Sequence, residues 1–379
     1  MSGTAPDVSA AGGGAGSAED REAAVFGRIE SFRRRRPTLR EEVVTLAHGA
    51  GGKASAALLE AVFLPAFAPE DAPGERSTPT DAALVDLPSG ERLAFSTDSY
   101  VVKPLRFRGG SVGHLAVHGT INDLAMMGAR PLALSAAFVL EEGMAIDVLR
   151  EVVADMAEAA AGAGVRIVTG DTKVVDRGAA DGMYITTAGV GVVPAGRDLD
   201  ATKVQVGDVV VVSGTMGDHG MAVMLARGDI ALEADIASDT APLHHLVEEL
   251  LAVAPDTRWM RDSTRGGVGT VCNELARAAD LTVVLDEQSL PVVPAVAAAC
   301  ELLGIDPLYV ANEGKLVAVV PPDQADAALR ALRSHPLGSD AALVGEIHAE
   351  PPGIVVLRTA MGGTRIVDML VGDPLPRIC

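Results

Sequence analysis

Apolar residues recur along this chain with two periods, near two and near three and a half, and the periods alternate over most of its length. Residues 54–64 carry the helical spacing, and 69–82, rich in Pro, Asp and Gly, reads as a loop. Strand-like runs at 82–86 and 92–96 flank Pro88-Ser89-Gly90. The pattern then predicts a helix at 111–127, a strand at 132–139, and an Ala-rich helix at 146–162 closed by Gly162 and Gly164. Strands follow at 165–169 and 183–193. A second unit opens near Gly207 with the buried-strand run VVVVSG at 209–214. Helices at 217–227, 240–253, 267–279, 292–303 and 323–334 are interleaved with strands at 282–285, 308–310, 315–320 and 341–349. A hairpin-like pair, 354–358 and 364–367, precedes an end punctuated by proline. The reading is an α+β chain of two similar-sized domains, 41–200 and 201–352, with their boundary in 196–206. A variable leader (1–40) and a tail (353–379) flank them.

Composition narrows this picture. Apolar residues make up 48% of the 379, enough for a core, but aromatics are only 3%, so the core is built from Ala, Val, Leu and Ile. Lys plus Arg number 31 against 51 Asp plus Glu, a net charge of −20, which argues against broad nucleic-acid binding and against docking on an anionic membrane. No run of about 18 apolar residues predicts a membrane span. The leader has Arg21 as its first basic residue and no apolar core, so it does not read as a secretory signal. Its run Arg33–Arg36, ended by Pro37, reads as a solvated charge run. Cys272, Cys300 and Cys379 form no CxxC pair and no zinc pattern, as expected of free thiols in a reducing cytoplasm. Cys272 and Cys300 fall on apolar helical faces and read as buried and inert.

Four constellations carry chemistry. Gly49, Gly51, Gly52 and Lys53 follow His48 in a Gly-rich turn that can present backbone N–H groups to phosphate, although it lacks the first Gly of a Walker A loop. Asp98 (Ser96–Ser99), Asn122-Asp123, Asp171-Thr172-Lys173 and Asp262 (261–267) place acids beside small or hydroxyl residues, with Asp98 and Asp171 at the ends of strand-like runs. Carboxylates gathered in one place repel unless a cation sits between them, and Mg²⁺ with nucleotide phosphates is the usual resolution. Glu313, in the turn Asn312–Lys315, reads as a general base, a metal ligand or an exposed turn residue. The chain ends on Cys379, after Pro374 and Pro376. The seven residue steps from Gly372 reach at most ~23–25 Å when extended, enough to carry the thiol into a cleft. Taken alone, that end reads as frayed.

Together the segments LAHGAGGK (46–53), STDSYVVKP (96–104), HGTINDLAMMGARP (118–131), TGDTKVV (169–175), MRDSTRGGV (260–268), ANEGK (311–315) and PRIC (376–379) resemble the HypE family of carbamoyl dehydratases in hydrogenase maturation. That family lies within the aminoimidazole-ribonucleotide-synthetase-like superfamily, and the likeness runs from about Leu46 to Cys379. The terminal PRIC separates it from selenophosphate synthetases and thiamine-phosphate kinases. The resemblance implies a two-domain PurM-like fold, and a homodimer in which the first domains pair into a barrel-like sheet. It implies ATP and Mg²⁺ as cofactors, a HypF-like carbamoyltransferase, and a HypC/HypD-like iron scaffold as partners. By its chemistry, a carbamoyl group on Cys379 is dehydrated to a thiocyanate whose cyanide goes to hydrogenase iron. Cys379, Glu313 (base) and Lys173 (charge neutralisation) would be catalytic. Asp98, Asp123, Asp171 and Asp262 would hold metal and ATP, and Asn122, Thr172 and 49–53 would surround the phosphates. Two departures stand out: residues 1–40 have no counterpart, and Ser263 replaces an expected Pro, which suggests a less rigid loop. The rival readings are a small-molecule kinase or synthetase of the same fold, and an acidic scaffold that presents its tail.

Overall fold

The computed structural model describes residues 39, 41–67, 80–228, 234–370, 372, 375 and 377–379. The Arg33–Arg36 run, most of the loop at 69–82, and Pro374 and Pro376 lie outside the described residues.

A helical segment starts at Lys53, right after the Gly-rich turn, and runs on to Phe67 with a π-type stretch at Leu59–Phe63. The first domain then lays down β1 (Ala83–Asp86), β2 (Arg92–Tyr100), the short pair β3 (Arg106–Phe107) and β4 (Gly110–Ser111), and helix α1 (Val112–Met126). Next come β5 (Arg130–Glu141), helix α2 (Ile146–Gly162), β6 (Arg166–Val175) and β7 (Met183–Val193). Five strands form one sheet in the order β1-β2-β7-β5-β6. The β5–α2–β6 unit makes the only parallel pair in it, because a helix must carry the chain back to the starting edge. Ala94, Ser96 and Tyr100 on β2 and Met183, Ile185 and Thr187 on β7 point inward, under α1, while their alternates stay more open. Val152, Met156, Ala159 and Ala160 form the apolar stripe of α2.

The second domain holds β8 (Val209–Val212), α3 (Asp218–Arg227), α4 (His244–Val253), β9 (Trp259–Asp262), α5 (Gly267–Ala279), β10 (Thr282–Asp286) and α6 (Pro294–Leu303). It ends with β11 (Leu316–Val320), α7 (Ala325–Ser334), β12 (Ala342–His348), β13 (Ile354–Arg358) and β14 (Thr364–Val367). Its seven strands are ordered β14-β13-β10-β12-β8-β11-β9. The VVVV and LVAVV strands β8 and β11 sit inside this sheet and are almost wholly buried, as an unalternating apolar run requires.

Three sequence expectations change. Asp171 does not end its strand: β6 continues through Lys173 to Val175, because β5 offers a partner over that whole length. The strand expected at 308–310 is a single 3₁₀ turn, Pro307–Tyr309, started by Pro307 and capped by Asp306. The tail expected from 353 starts only after Val367, since β13 and β14 complete the second sheet. Strand β9 had no sequence signal of its own, because WMRD is short and half polar.

Gly119, in the middle of α1, faces the Tyr100 hydroxyl so closely that any Cβ there would collide with it. Gly119→Ala should lower the thermal midpoint by roughly 2–10 °C through overpacking. Gly162→Ala, which meets nothing within 4 Å, should leave it unchanged or slightly higher. Calorimetry on the two variants checks this.

Candidate active site

Three acids from three elements converge where the domains meet. Asp81 precedes β1, Asp123 lies on α1, and Asp262 closes β9, and one carboxylate oxygen from each lies within 4.8 Å of the others. Two of them are anchored from behind. Asp81 pairs with Arg261 at 2.8 Å, Arg261 reaches Glu274 at 3.2 Å, and Ser96 Oγ donates to Asp123. Burial raises all three carboxyls, Asp81 to about 6; repulsion adds to it, from Glu274 at Asp81, from Asp262, Asp81 and Asp98 at Asp123, and from Asp81 and Asp98 at Asp262. Asp98 stands close enough to raise Asp123, Asp262 and Glu313 by its charge. A buried set of hard oxygens that repel one another suits Mg²⁺, so the donor chemistry fits that ion.

Glu313 faces the same cleft. It is 4% exposed, its Oε1 has no hydrogen-bond partner among the described residues, and its carboxyl is raised by burial and then by Asp262, Asp98 and Asp239. Asp239 fixes the turn around it, accepting from the Glu313 N–H at 3.0 Å and from Lys315 Nζ at 3.1 Å.

The chain terminus is docked rather than frayed. Leu375 and Ile378 are buried in the apolar core. Val101 N–H donates to the backbone oxygen of Cys379 at 3.1 Å, and Arg227 donates to the Arg377 carbonyl. The Arg377 side chain pairs with Asp181 and donates to the Val101 carbonyl at 3.2 Å. Negative charge at Cys379 is the largest influence raising Arg265, whose guanidinium also senses Asp98 and Glu313. The terminal cysteine, Asp98 and Glu313 therefore all lie within electrostatic range of one cation, Arg265.

The other predicted residues divide. Gly49, Gly51, Gly52 and Lys53 form the turn before the first helix, tied to the second domain. Arg265 donates to the Gly49 carbonyl at 3.0 Å, Gly51 packs on Arg265, Gly52 caps the helix, and Lys53 pairs with Asp368 at 2.7 Å. Asn122 does not point to a phosphate site. Its amide donates to the Ala241 and Glu313 carbonyls and accepts from Leu243 N–H, so it staples α1 to the second domain. Asp171 and Lys173 pair with each other on the exposed face of edge strand β6, and Thr172 is exposed beside them. Asp98 lies in register with Thr187, Ala136 and Gly170, so three strand spacings, ~14 Å, separate it from β6. Asp171, one residue on from Gly170, points to the opposite face of the sheet. Within one chain it cannot share an ion with Asp98, Asp123 or Asp262. Ser263 is tied down rather than loose: its N–H donates to the Lys315 carbonyl at 3.1 Å and its carbonyl accepts from Asn312. A proline could not donate the first of these bonds. Sequence reasoning missed Asp81, His219 and Arg265. Asp81 sits in a run that reads as loop, and nothing in its neighbours shows that Arg261 and Asp262 will fold onto it. Burial puts Cys272 at about 12 and Cys300 at about 11, which makes both inert.

Comparison with known proteins agrees with this geometry. Residues 79–193 match the family described as AIR synthase related protein, N-terminal domain, and 205–358 match its C-terminal domain. The carbamoyl dehydratase HypE of Rhodobacter capsulatus is 56% identical over 343 residues, covering 90% of this chain and 99% of that protein. The carbamoyl dehydratase HypE of Escherichia coli K12 is 48% identical over 337 residues, covering 89% and 99%. Among solved structures, a HypE–HypF complex superposes with a TM-score of 0.77 at 45% identity, covering 83% of this chain and all of that one. HypE in complex with ATP superposes with 0.74 at 45% identity, covering 89% and 100%. No helix among the described residues is long and apolar enough to cross a membrane.

The acid cluster has a testable cost. A carboxyl raised by folding binds more protons folded than unfolded, so stability is lost as pH rises from about 4 through its folded pKa. In metal-free protein, Asp123→Asn should therefore raise the thermal midpoint at high pH, and the two proteins should converge as pH falls toward about 4. A pH series of melting curves reads this directly.

Proposed function

The chain belongs to the AIR synthase related family and, within it, to the HypE carbamoyl dehydratases, and on that premise we propose how its cleft removes water from a carbamoyl group. The carrying observation is the docked terminus, with negative charge at Cys379 acting on Arg265, which also senses Asp98 and Glu313; this supports a site shared by Cys379, Glu313 and the acid cluster.

A carbamoyl group rides on the Cys379 sulfur. Its amide oxygen is a poor leaving group, and transfer of a phosphoryl group from ATP to that oxygen makes it a good one. Loss of phosphate takes the C–O bonding electrons, while the amide nitrogen gives up its protons and forms the triple bond of S–C≡N. Glu313 is placed to take a proton, and the Arg265 guanidinium to balance the negative charge that builds on the oxygen side. Asp81, Asp123 and Asp262, with Asp98 nearby, would hold Mg²⁺, which supplies charge neutralisation for nucleotide phosphates when bound. The Cys379 sulfur serves as a tether that carries the group. The thiocyanate carbon then passes to iron on a HypC/HypD-like scaffold. The HypE–HypF complex supports a HypF-like carbamoyltransferase as the donor.

Asp171, Thr172 and Lys173 enter through a second copy. Strand β6 is a sheet edge, exposed at every position but its last, and an open edge of that length is a template for another strand. In a homodimer formed there, Asp171, Thr172 and Lys173 would serve the cleft of the other subunit. On this reading Lys173→Ala and Glu313→Gln chains, each inactive alone, regain activity when mixed and re-equilibrated. Size measurement finds a dimer, and a monomer or a failure to complement overturns the shared-site arrangement.

Intact-protein mass spectrometry with ATP, Mg²⁺ and the carbamoyl-donating system tests the chemistry. The expected result is the gain of one carbamoyl group and then the loss of one water, both on Cys379. Cys379→Ala should abolish both and retain ATP binding, and Glu313→Gln should slow the second step ~10²-fold or more. Because the Glu313 carboxyl is raised, dehydration should fall off as pH drops through a midpoint above the ordinary Glu range. ATP consumption with Cys379 unmodified would point instead to a small-molecule kinase.

A further inference from the structure

His219, near the start of α3, has no solvent exposure and stacks edge-on against Phe107 with ring centroids 5.4 Å apart. Its Nε2 lies 2.7 Å from the Ile378 carbonyl oxygen and its Nδ1 2.8 Å from Ser238 Oγ. A carbonyl only accepts, so Nε2 carries the proton. Burial keeps the ring neutral, so Nδ1 is bare and accepts from the Ser238 hydroxyl. Ser238 Oγ is itself placed by Thr240 N–H at 3.2 Å. The imidazole thus has one N–H, in one fixed tautomer, and a second acceptor in view: Glu313 Oε1, 4.0 Å from the same Nε2. That oxygen is buried and has no hydrogen-bond partner while the tail is docked.

We propose that His219 is a positioning residue whose single Nε2–H is shared out between two acceptors, the Ile378 carbonyl when the tail is docked and Glu313 when it is withdrawn. Docking takes the hydrogen bond away from the carboxylate and leaves it bare beside the arriving Cys379. A buried carboxylate stripped of its donor holds a proton more tightly, so arrival of the substrate arm itself prepares the base. With the tail gone, the same N–H stabilises an otherwise isolated buried oxygen. The significance for catalysis rests on Glu313 being the base, but the exchange of the hydrogen bond does not.

The test reads tail docking without any turnover: the rate at which a small alkylating reagent modifies Cys379 in the full-length chain, located by peptide mass mapping in the absence of ATP. Cys272 and Cys300 are buried and serve as internal controls. His219→Phe keeps the ring and loses the donor, and should speed alkylation about fivefold, the loss of one neutral hydrogen bond. His219→Gln restores a donor near the Nε2 position and should return the rate to within about twofold of wild type. Glu313→Gln weakens the competing acceptor and should slow alkylation. In the His219→Phe background that slowing should vanish, because no N–H remains to be shared. Wild-type protection in His219→Phe overturns the latch. Slowing by Glu313→Gln that persists beside His219→Phe overturns the exchange and leaves plain charge repulsion. Should His219→Phe fail to fold, Ser238→Ala, which releases the tautomer, should also speed alkylation, and wild-type protection there overturns the fixed tautomer. If no thiocyanate ever formed on Cys379, the dehydratase reading would fall while these rates stayed interpretable.

Discussion

Carboxylates held out of water beside one another set the terms for the rest of this molecule. Asp81, Asp123, Asp262 and Glu313 come from a loop, a helix, a strand end and a turn, and both domains contribute. Nothing in the protein alone makes their meeting favourable, so the surrounding packing has to impose it. Arg261 offsets part of the charge by pairing with Asp81 and Glu274. The rest falls to rigid neighbours: the almost wholly buried strands β8 and β11, and Asn122, which spends its amide hydrogen bonds on the opposite domain. A fold that must hold repelling charges in register needs a core of close-packed, well-ordered side chains. An Ala- and Val-rich core with few aromatics supplies that by shape rather than by bulk.

The tail is held in a different way. Leu375 and Ile378 supply apolar burial, and Val101, Arg227, Asp181 and His219 supply polar contacts. Against these stand the ordering of a chain end, ~1–2 kcal/mol per residue, and the left-handed conformation of Arg377 at φ 59°, which costs on the order of 1 kcal/mol for a side chain with a Cβ. The strained residue is the same one whose side chain grips Asp181, so release of that grip and relief of that strain come together.

Much of this was legible in the chain. Helix α2 and helix α5 fall at the residues their periodicity and Gly signals predict, and the buried run at 209–214 is a central strand. Asp123 and Asp262, expected from motifs far apart in sequence, do meet in one cluster, and Asp98 and Glu313 lie within electrostatic range of it. What could not be read is what depends on which side chains meet. Asp81 carries no local signal and becomes part of the cluster only because β1 pairs with β2 and brings its preceding loop over α1 and β9. Asn122 sits in the same motif as Asp123, one residue away, and helical geometry turns it toward the other domain. Asp171 looked equivalent to Asp98 because each lies beside small residues in a strand. The register of β6 against β5 puts it on the other face of the sheet, three strands away. Ser263 looked like a loosening, and the N–H it restores is put to use.

Placing the reacting group on the chain's own end has a physical consequence that a freely diffusing substrate would lack. A small carbamoyl donor would have to be bound, oriented and shielded from water by contacts with a few atoms. Here the apolar anchors lie in Leu375 and Ile378, outside the reacting group, and the backbone carbonyls of 377–379 define its approach. Binding energy from these remote contacts can therefore be spent on orientation, the circumstance in which intramolecular reactions gain most. The same arrangement explains why the sulfur need not be a good nucleophile: it makes no bond in the dehydration and only has to keep its place. A reactive cation-free pocket would scatter the product to water, whereas a thiocyanate tethered through the Cys379 sulfur stays attached to the chain.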